Sequence, residues 1–275
     1  MPCSLGVIGL GRMAQTILLP LLETGDFKPD EVFGVVGQKA SVQRAKDQLP
    51  SGVRIFCAED PSSLEVWTAP IRLLAIKPQQ LPSIERQLDH TELPVPKSRA
   101  MLISLLAGVK LKRLGMIFPT CSCARAVPNT PALVRAGLTG LSWGDGITID
   151  QKLLVEKFFE PISEVLALPE NQLDAFLALT SSGPAYIALI AEALSDGAVA
   201  AGLPRLLANY LVPRTLLGTS LLLKEKELHP GQLKDMVASP GGTTITALRH
   251  LERAGVRSAL MEAVIVAAER SRELA

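Results

Sequence analysis

Residues 5–21 constrain the fold more than any other stretch. Leu5-Gly6-Val7-Ile8 is a short apolar strand that runs directly into Gly9-Leu10-Gly11-Arg12-Met13-Ala14, and apolar residues then follow at helical spacing, Ile17, Leu18 and Leu21. Glycines at 9 and 11 with alanine at 14 form a dinucleotide-binding fingerprint in its required context, between a strand and a helix. Gly9 makes the turn, Gly11 lets a pyrophosphate reach the backbone, and Ala14 permits close helix–strand packing. The pattern alone is weak evidence, and its position gives it weight. Ile8, Gly9, Leu10, Gly11, Arg12 and Met13 are therefore expected to face a cofactor.

A second strand is predicted at Val32–Val36, and its end is where an acid normally holds the ribose hydroxyls of NAD. Here the chain continues Gly37-Gln38-Lys39-Ala40-Ser41, with Arg44 beyond. The missing carboxylate and the two cations point to NADPH, with NADH still possible. Gln38 and Lys39 join the expected cofactor contacts, although two exposed cations at a helix start also need no ligand to explain them. Further strands are predicted at Val53–Phe56, Ile71–Ile76 and Met101–Leu106. Strands alternating with helical or Pro-punctuated links predict an α/β Rossmann-type doubly wound parallel sheet. Ala75, Ile76, Lys77 and Ala107 fall at its carboxyl edge, among the expected cofactor contacts. Arg125 through Pro131 reads as a rigid loop presenting Asn129 and Thr130, or equally as a plain turn.

The chain of 275 residues exceeds a usual single-core domain, and two domains are expected. A net charge of +1 suggests neither nucleic acid nor an anionic membrane as partner. Met1 to Ser4 lack the cationic start of a leader, and no apolar run is expected to approach membrane-spanning length, so a cytoplasmic protein is expected. Cys3, Cys57, Cys121 and Cys123 lack zinc-ligand spacing and the chain has three histidines, which argues against a metal site. Cys121 and Cys123 read as free thiols or, less simply, as a redox pair.

Beyond residue 163 the texture becomes helical. One helix is predicted from Pro184 to the Gly202 stop, with small residues on nearly every face, and another from Pro204 through Leu222, interrupted by Pro213. Helices apolar almost all round need burial on several sides, which a domain of this size cannot supply, so association with a second subunit is expected. The division is therefore residues 1–163, a cofactor-binding domain, and 164–275, an all-α domain.

Near the end, Ser239-Pro240-Gly241-Gly242-Thr243-Thr244 leads into a helix carrying Ile245, Leu248 and Leu251. Free backbone N–H groups, the helix dipole and three hydroxyls would suit a small carboxylate there. Alone, the segment reads more simply as an ordinary Ser-Pro helix start with a Gly turn.

Read together, these segments resemble the pyrroline-5-carboxylate reductase family along nearly the whole chain. The resemblance rests on Ala75-Ile76-Lys77-Pro78, Pro128-Asn129-Thr130-Pro131, Ser182 through Tyr186, Glu192 through Gly197 and, above all, His229 through Glu252. The chain departs from the family at Thr180-Ser181-Ser182-Gly183-Pro184, where Ser-Gly-Ser-Gly-Pro is usual, and at Leu105-Leu106, where smaller residues are usual. The resemblance implies NAD(P)H-dependent reduction of 1-pyrroline-5-carboxylate to L-proline, the last step of proline biosynthesis, by an oxidoreductase acting on CH-NH donors. It further implies an all-α C-terminal dimerisation domain and a homodimer, often in a ring of dimers. It assigns the substrate carboxylate to Ser239, Gly241, Gly242, Thr243 and Thr244, and makes Thr244 the catalytic residue, its hydroxyl contacting the ring nitrogen. It makes Glu170 a substrate-binding group at the domain junction, although a solvated helix-start acid reads the same way, and it puts Lys77 and Asn129 at the nicotinamide end. An iminium substrate brings its own electrophile, so the site needs positioning more than a strong acid. Two rivals stand: a 3-hydroxyacid-type or other imine reductase, for which Lys152 and Lys157 come too early to be the catalytic lysine, and an NADP-binding sensor without turnover.

Overall fold

The computed structural model describes residues 5–89 and 99–273, so Cys3 and the segment Met1 to Ser4 lie outside the described residues. The chain divides into two compact units, one of residues up to Ser181 together with those from Ala267 on, the other Ser182–Val266. The first unit therefore runs past residue 163, because the chain there is still adding a strand to the sheet and a helix beside it.

The first unit alternates β1 (Leu5–Ile8), α1 (Arg12–Glu23), β2 (Val32–Val36), α2 (Lys39–Gln48), β3 (Arg54–Cys57), β4 (Ile71–Leu74), α3 (Leu81–Asp89), β5 (Ala100–Ser104), α4 (Leu111–Ile117), β6 (Cys121–Pro128), β7 (Gly137–Trp143), α5 (Ile149–Phe159), β8 (Ser163–Ala167) and α6 (Leu173–Thr180). The strands form one sheet in the order β3-β2-β1-β4-β5-β6-β7-β8. Every neighbouring pair is parallel except β6 and β7. The doubly wound parallel core is as expected, with a reversed strand added.

Period-two alternation decides which side chain goes to which face. Leu5 and Val7, Ile71 and Leu73, and Met101 and Ile103 enter one core with Ile17, Leu18 and Leu21 of α1 and Phe158 and Phe159 of α5. Ile8, Leu74 and Leu102 enter the other with Val66, Trp67 and Leu114 of α4. Arg72 is buried in β4, its charge covered by the Ala69 carbonyl at 3.0 Å and the Cys121 sulfur at 3.3 Å.

Three sequence expectations need correction. Arg125–Pro128, expected in a loop, is the end of β6; its Cys, Ser and Ala residues carry little strand propensity, and burial on both faces decides instead. The third strand is displaced by one residue, and the fourth and fifth stop at Leu74 and Ser104, which leaves Ala75-Ile76 and Leu105-Leu106 in the turns beyond. By length and composition alone, the helical stretch Glu170–Ala200 and the helix Arg205–Glu225 are long and apolar enough to cross a membrane. The expectation missed them because interspersed Pro, Ser, Thr and Gly break the runs of apolar letters without lowering the average enough.

The second unit holds α7 (Gly183–Ala200), α8 (Arg205–Glu225), α9 (Pro230–Val237), α10 (Thr243–Arg253) and the larger part of α11 (Val256–Glu273). α7 packs against α8, and Tyr186 donates to the Ala263 carbonyl at 3.3 Å. Leu189, Leu206, Tyr210, Leu217 and Met261 remain exposed, so the single chain leaves large apolar faces uncovered.

Gly6 lies where β1 passes beneath the 3₁₀ segment Pro61–Thr68, and a Cβ there would collide with the Val66 carbonyl oxygen. Gly6→Ala is expected to lower stability by about 1–3 kcal/mol, measured by urea titration.

Candidate functional site

The sheet order reverses at β1, since the chain builds β2 and β3 on one side of it and then crosses to β4 on the other. Two strand ends diverge there and open a crevice at the carboxyl edge, where such sheets hold ligands. Gly9 and Ala75 mark it: the Gly9 N–H bonds the Val35 carbonyl at 2.9 Å, and the Ala75 N–H bonds the Ile8 carbonyl at 2.8 Å.

Gly9 has φ +97°, and a Cβ there would sit 2.7 Å from the Ala75 oxygen, so only glycine fits the turn. Gly11 caps α1 with no side chain of its own, and a Cβ there would meet nothing within 4 Å. The first-turn N–H groups of α1 thus face open space beside bare backbone, which suits a phosphate. Ala14 is buried against the strand behind them. These features fit a dinucleotide.

A cleft of about 430 Å³ brings together seven of the expected cofactor contacts, Ile8, Gly9, Leu10, Gly11, Ala75, Ile76 and Lys77. It also takes in Gly37, Ser41, Ala58, Gln80 and Ser83, which sequence reasoning missed. Gln80 belongs to the 3₁₀ turn Pro78–Gln80, and its side chain accepts from the Lys77 N–H at 3.0 Å; a proline four residues after the strand end is the signal that could have revealed it.

The remaining expected contacts lie elsewhere. Arg12 lines a neighbouring cleft. Met13, in the first turn of α1, packs against the core, Gln38 is the exposed residue that starts α2, and Ala107 is half-buried beyond β5. The Lys39 ammonium stands 3.6 Å from Glu59 and lines neither cleft. Asn129 is buried, and both ends of its amide are engaged: it donates to the Thr180 carbonyl at 3.0 Å and accepts from the Leu138 N–H at 2.8 Å. It ties the end of β6 to β7 and to the last turn of α6.

Glu170 accepts from Arg125 at 2.9 Å and from the Leu111 N–H at 2.6 Å. Arg125 is almost wholly buried, and its Nε is the one buried side-chain polar atom among the described residues without a partner. Glu170 is the counter-charge that makes that burial tolerable. Cys121 and Cys123 are buried free thiols, and burial pushes Cys123 up to about 12, with the charge of Cys121 adding to the shift, so neither is a ready nucleophile.

In the second unit, Gly241 takes φ +67° and the Gly242 N–H bonds the Ser239 carbonyl at 3.0 Å, which closes the turn that starts α10. Gly242 is the N-cap and supplies no side-chain bond. The first-turn N–H groups therefore remain available, as do the hydroxyls of Ser239, Thr243 and Thr244, none of which has a partner among the described residues. Thr246 differs, because its hydroxyl bonds back to the Gly242 carbonyl at 3.0 Å. His229 caps α9 by accepting from the Gly231 N–H at 3.1 Å, while Gln232 returns a bond to the His229 N–H at 3.0 Å. The His229 ring is thereby engaged in starting α9.

Two family models match, pyrroline-5-carboxylate reductase dimerisation over residues 170–274 and NADP oxidoreductase coenzyme F420-dependent over residues 4–108. A pyrroline-5-carboxylate reductase of Synechocystis sp. is 42% identical over 275 residues, covering 100% of this chain and 99% of the relative. The chain belongs to the pyrroline-5-carboxylate reductase family. A solved family structure from Coxiella burnetii superposes with TM-score 0.82 at 31% identity, covering 100% of this chain and 99% of the other. One from Plasmodium falciparum, with NADP bound, gives TM-score 0.83 at 26% identity over 99% and 98%. The dimerisation match spans the helices whose apolar faces the single chain leaves exposed, and subunit association accounts for them.

Asn129→Ala would strand the Leu138 N–H and remove the tie to Thr180. It is expected to cost about 2–4 kcal/mol of stability, read from the midpoint of chemical unfolding.

Proposed function

We propose that this chain is an NADPH-dependent reductase that converts 1-pyrroline-5-carboxylate to L-proline, the last step of proline biosynthesis, acting as a homo-oligomer. The observation that carries this reading is the full-length match to a curated reductase at 42% identity, with a glycine turn built for a dinucleotide at the sheet's switch point. NADPH oxidation on adding pyrroline-5-carboxylate to the purified protein tests it; cofactor binding without oxidation would favour the sensor.

Residues 1–163 hold the cofactor in this reading, and residues 164–275 bind substrate and dimerise. The nicotinamide cofactor, when bound, supplies the hydride. Gly9, Leu10 and Gly11 would present backbone to its phosphates, with Ala75, Ile76 and Lys77 along the same cleft. Ser239, Gly241, Gly242 and Thr243 would hold the substrate carboxylate through the unpaired donors of the α10 turn. The free Thr244 hydroxyl would contact the ring nitrogen and orient the ring. Positioning of this kind supplies up to roughly 7–11 kcal/mol of a barrier, which removes the need for a histidine or cysteine catalyst. Glu170 is supported first as the partner of Arg125, and a substrate role would use the same carboxylate. A cytosolic setting agrees with the free thiols Cys57, Cys121 and Cys123.

Thr244→Ala is expected to keep the fold and NADPH affinity while lowering kcat/KM about tenfold to hundredfold, the worth of one hydrogen bond to a charged group. Thr246→Ala, whose hydroxyl is already satisfied within the helix, is expected to stay near the parent value. Steady-state kinetics at saturating NADPH decides; equal behaviour of the two variants would leave Thr244 a plain helix-start residue.

A Cβ at Gly197 would meet nothing within 4 Å in the single chain. Gly197→Leu is therefore expected to leave the chain helical by circular dichroism but to weaken the dimer, seen by light scattering at micromolar concentration.

A further inference from the structure

The start of α4 carries an electrostatic problem that its own sequence does not solve. Lys110, Lys112 and Arg113 crowd it, no acid lies in its first turn, and its N-cap Lys110 makes no side-chain bond. The free N–H groups and the helix dipole already make that end positive. The missing acceptor comes from 59 residues away, where Glu170 Oε1 accepts from the Leu111 N–H at 2.6 Å. The same oxygen accepts from Arg125 Nη1 at 2.9 Å, so a single atom joins α4 to β6. A carboxylate held by a buried guanidinium and a helix start has little charge left to balance a substrate cation.

What Glu170 fixes is the turn between β5 and α4, residues 105–110. The near end of that turn is tied to the sheet, where the Leu105 N–H bonds the Leu74 carbonyl at 2.9 Å, and Gly108 redirects the chain at φ +76°. The far end is held at Leu111 by Glu170. The turn leaves the carboxyl end of β5 beside the turn that follows β4, and the latter carries Ala75, Ile76 and Lys77 into the dinucleotide cleft. We propose that Glu170 is a positioning residue for hydride transfer and not a substrate ligand: by holding the start of α4 against Arg125, it sets where the β5–α4 turn, with Ala107, meets the reactive end of the cofactor. This rests on the reductase reading for the reaction.

The test breaks the link from either end. Leu111→Pro removes the donated N–H and leaves the Glu170–Arg125 pair alone; Leu111 is the first residue of the helix and Lys110 before it is extended, at φ −75° and ψ 153°, so proline fits. Leu111→Ala removes the side chain and keeps the N–H. In the full chain without cofactor or substrate, amide hydrogen exchange across residues 105–110 is expected to quicken about tenfold in Leu111→Pro and in Glu170→Ala, and by less than about twofold in Leu111→Ala. In steady-state kinetics the first two variants are expected to lose about tenfold in kcat while KM for pyrroline-5-carboxylate stays within about threefold of the parent. Glu170→Gln, whose amide oxygen still accepts from Leu111, is expected to recover most of that loss. Should Glu170→Ala fail to fold with Arg125 stranded, judged by thermal unfolding, Leu111→Pro carries the test. Three results overturn the proposal: a KM raised about tenfold in Glu170→Gln at unchanged kcat, which makes the carboxylate a substrate ligand; a parent-like kcat in Leu111→Pro; or unchanged exchange across the turn in both Leu111→Pro and Glu170→Ala. NADPH oxidation with pyrroline-5-carboxylate by the unaltered chain tests the reductase reading separately, so the two failures are distinguishable.

Discussion

The parallel sheet must be covered on both faces, and much of the first unit follows from that requirement. A strand buried on both sides offers apolar residues to both, and the chain can reach the next parallel strand only by a crossover across one face. α1, α2 and α5 cover one face, and α3, α4 and the segment around Trp67 cover the other. To cover both, the winding must reverse once, at β1, and the reversal leaves a crevice beside Gly9 and Ala75. The cofactor site is thus a by-product of how the sheet is protected from water.

The buried polar groups explain how the outer strands join that frame. β6 carries Arg125, whose charge would be prohibitive without Glu170, and ends at Asn129, whose amide bonds in two directions. Both side chains face inward and use their polar atoms on the protein itself. Polar residues near a carboxyl edge invite assignment to a ligand, and here the hydrogen-bond inventory assigns them to structure first. The turn before α10 is the opposite case. Its cap is a glycine, its leading hydroxyls have no partner among the described residues, and its donors remain free.

Some of this was legible in the letters because it is local. A strand, two glycines and a helix within about twenty residues of one another leave little freedom, and φ +97° at Gly9 is what a glycine in that place supplies. The same holds for the Ser239–Thr244 turn and for the proline and glycine that bracket α7 and its exit. The reversed strand pair was not legible. Cys121–Pro128 has Val127 as its single β-branched residue, too few to announce a strand, and it becomes one because β5 and β7 lie on either side of it.

The sequence by itself determined the fold class, the dinucleotide turn, the helical second unit and the family, because each is written in residues close together in the chain or in a match along its whole length. Only the tertiary structure decided which cations are buried. Arg125 and Lys39 look alike as letters, yet Arg125 is buried against Glu170, 45 positions away, while Lys39 stays exposed with Glu59 3.6 Å from it. Pairing of charges depends on distances between segments remote in sequence, and no spacing rule carries that information.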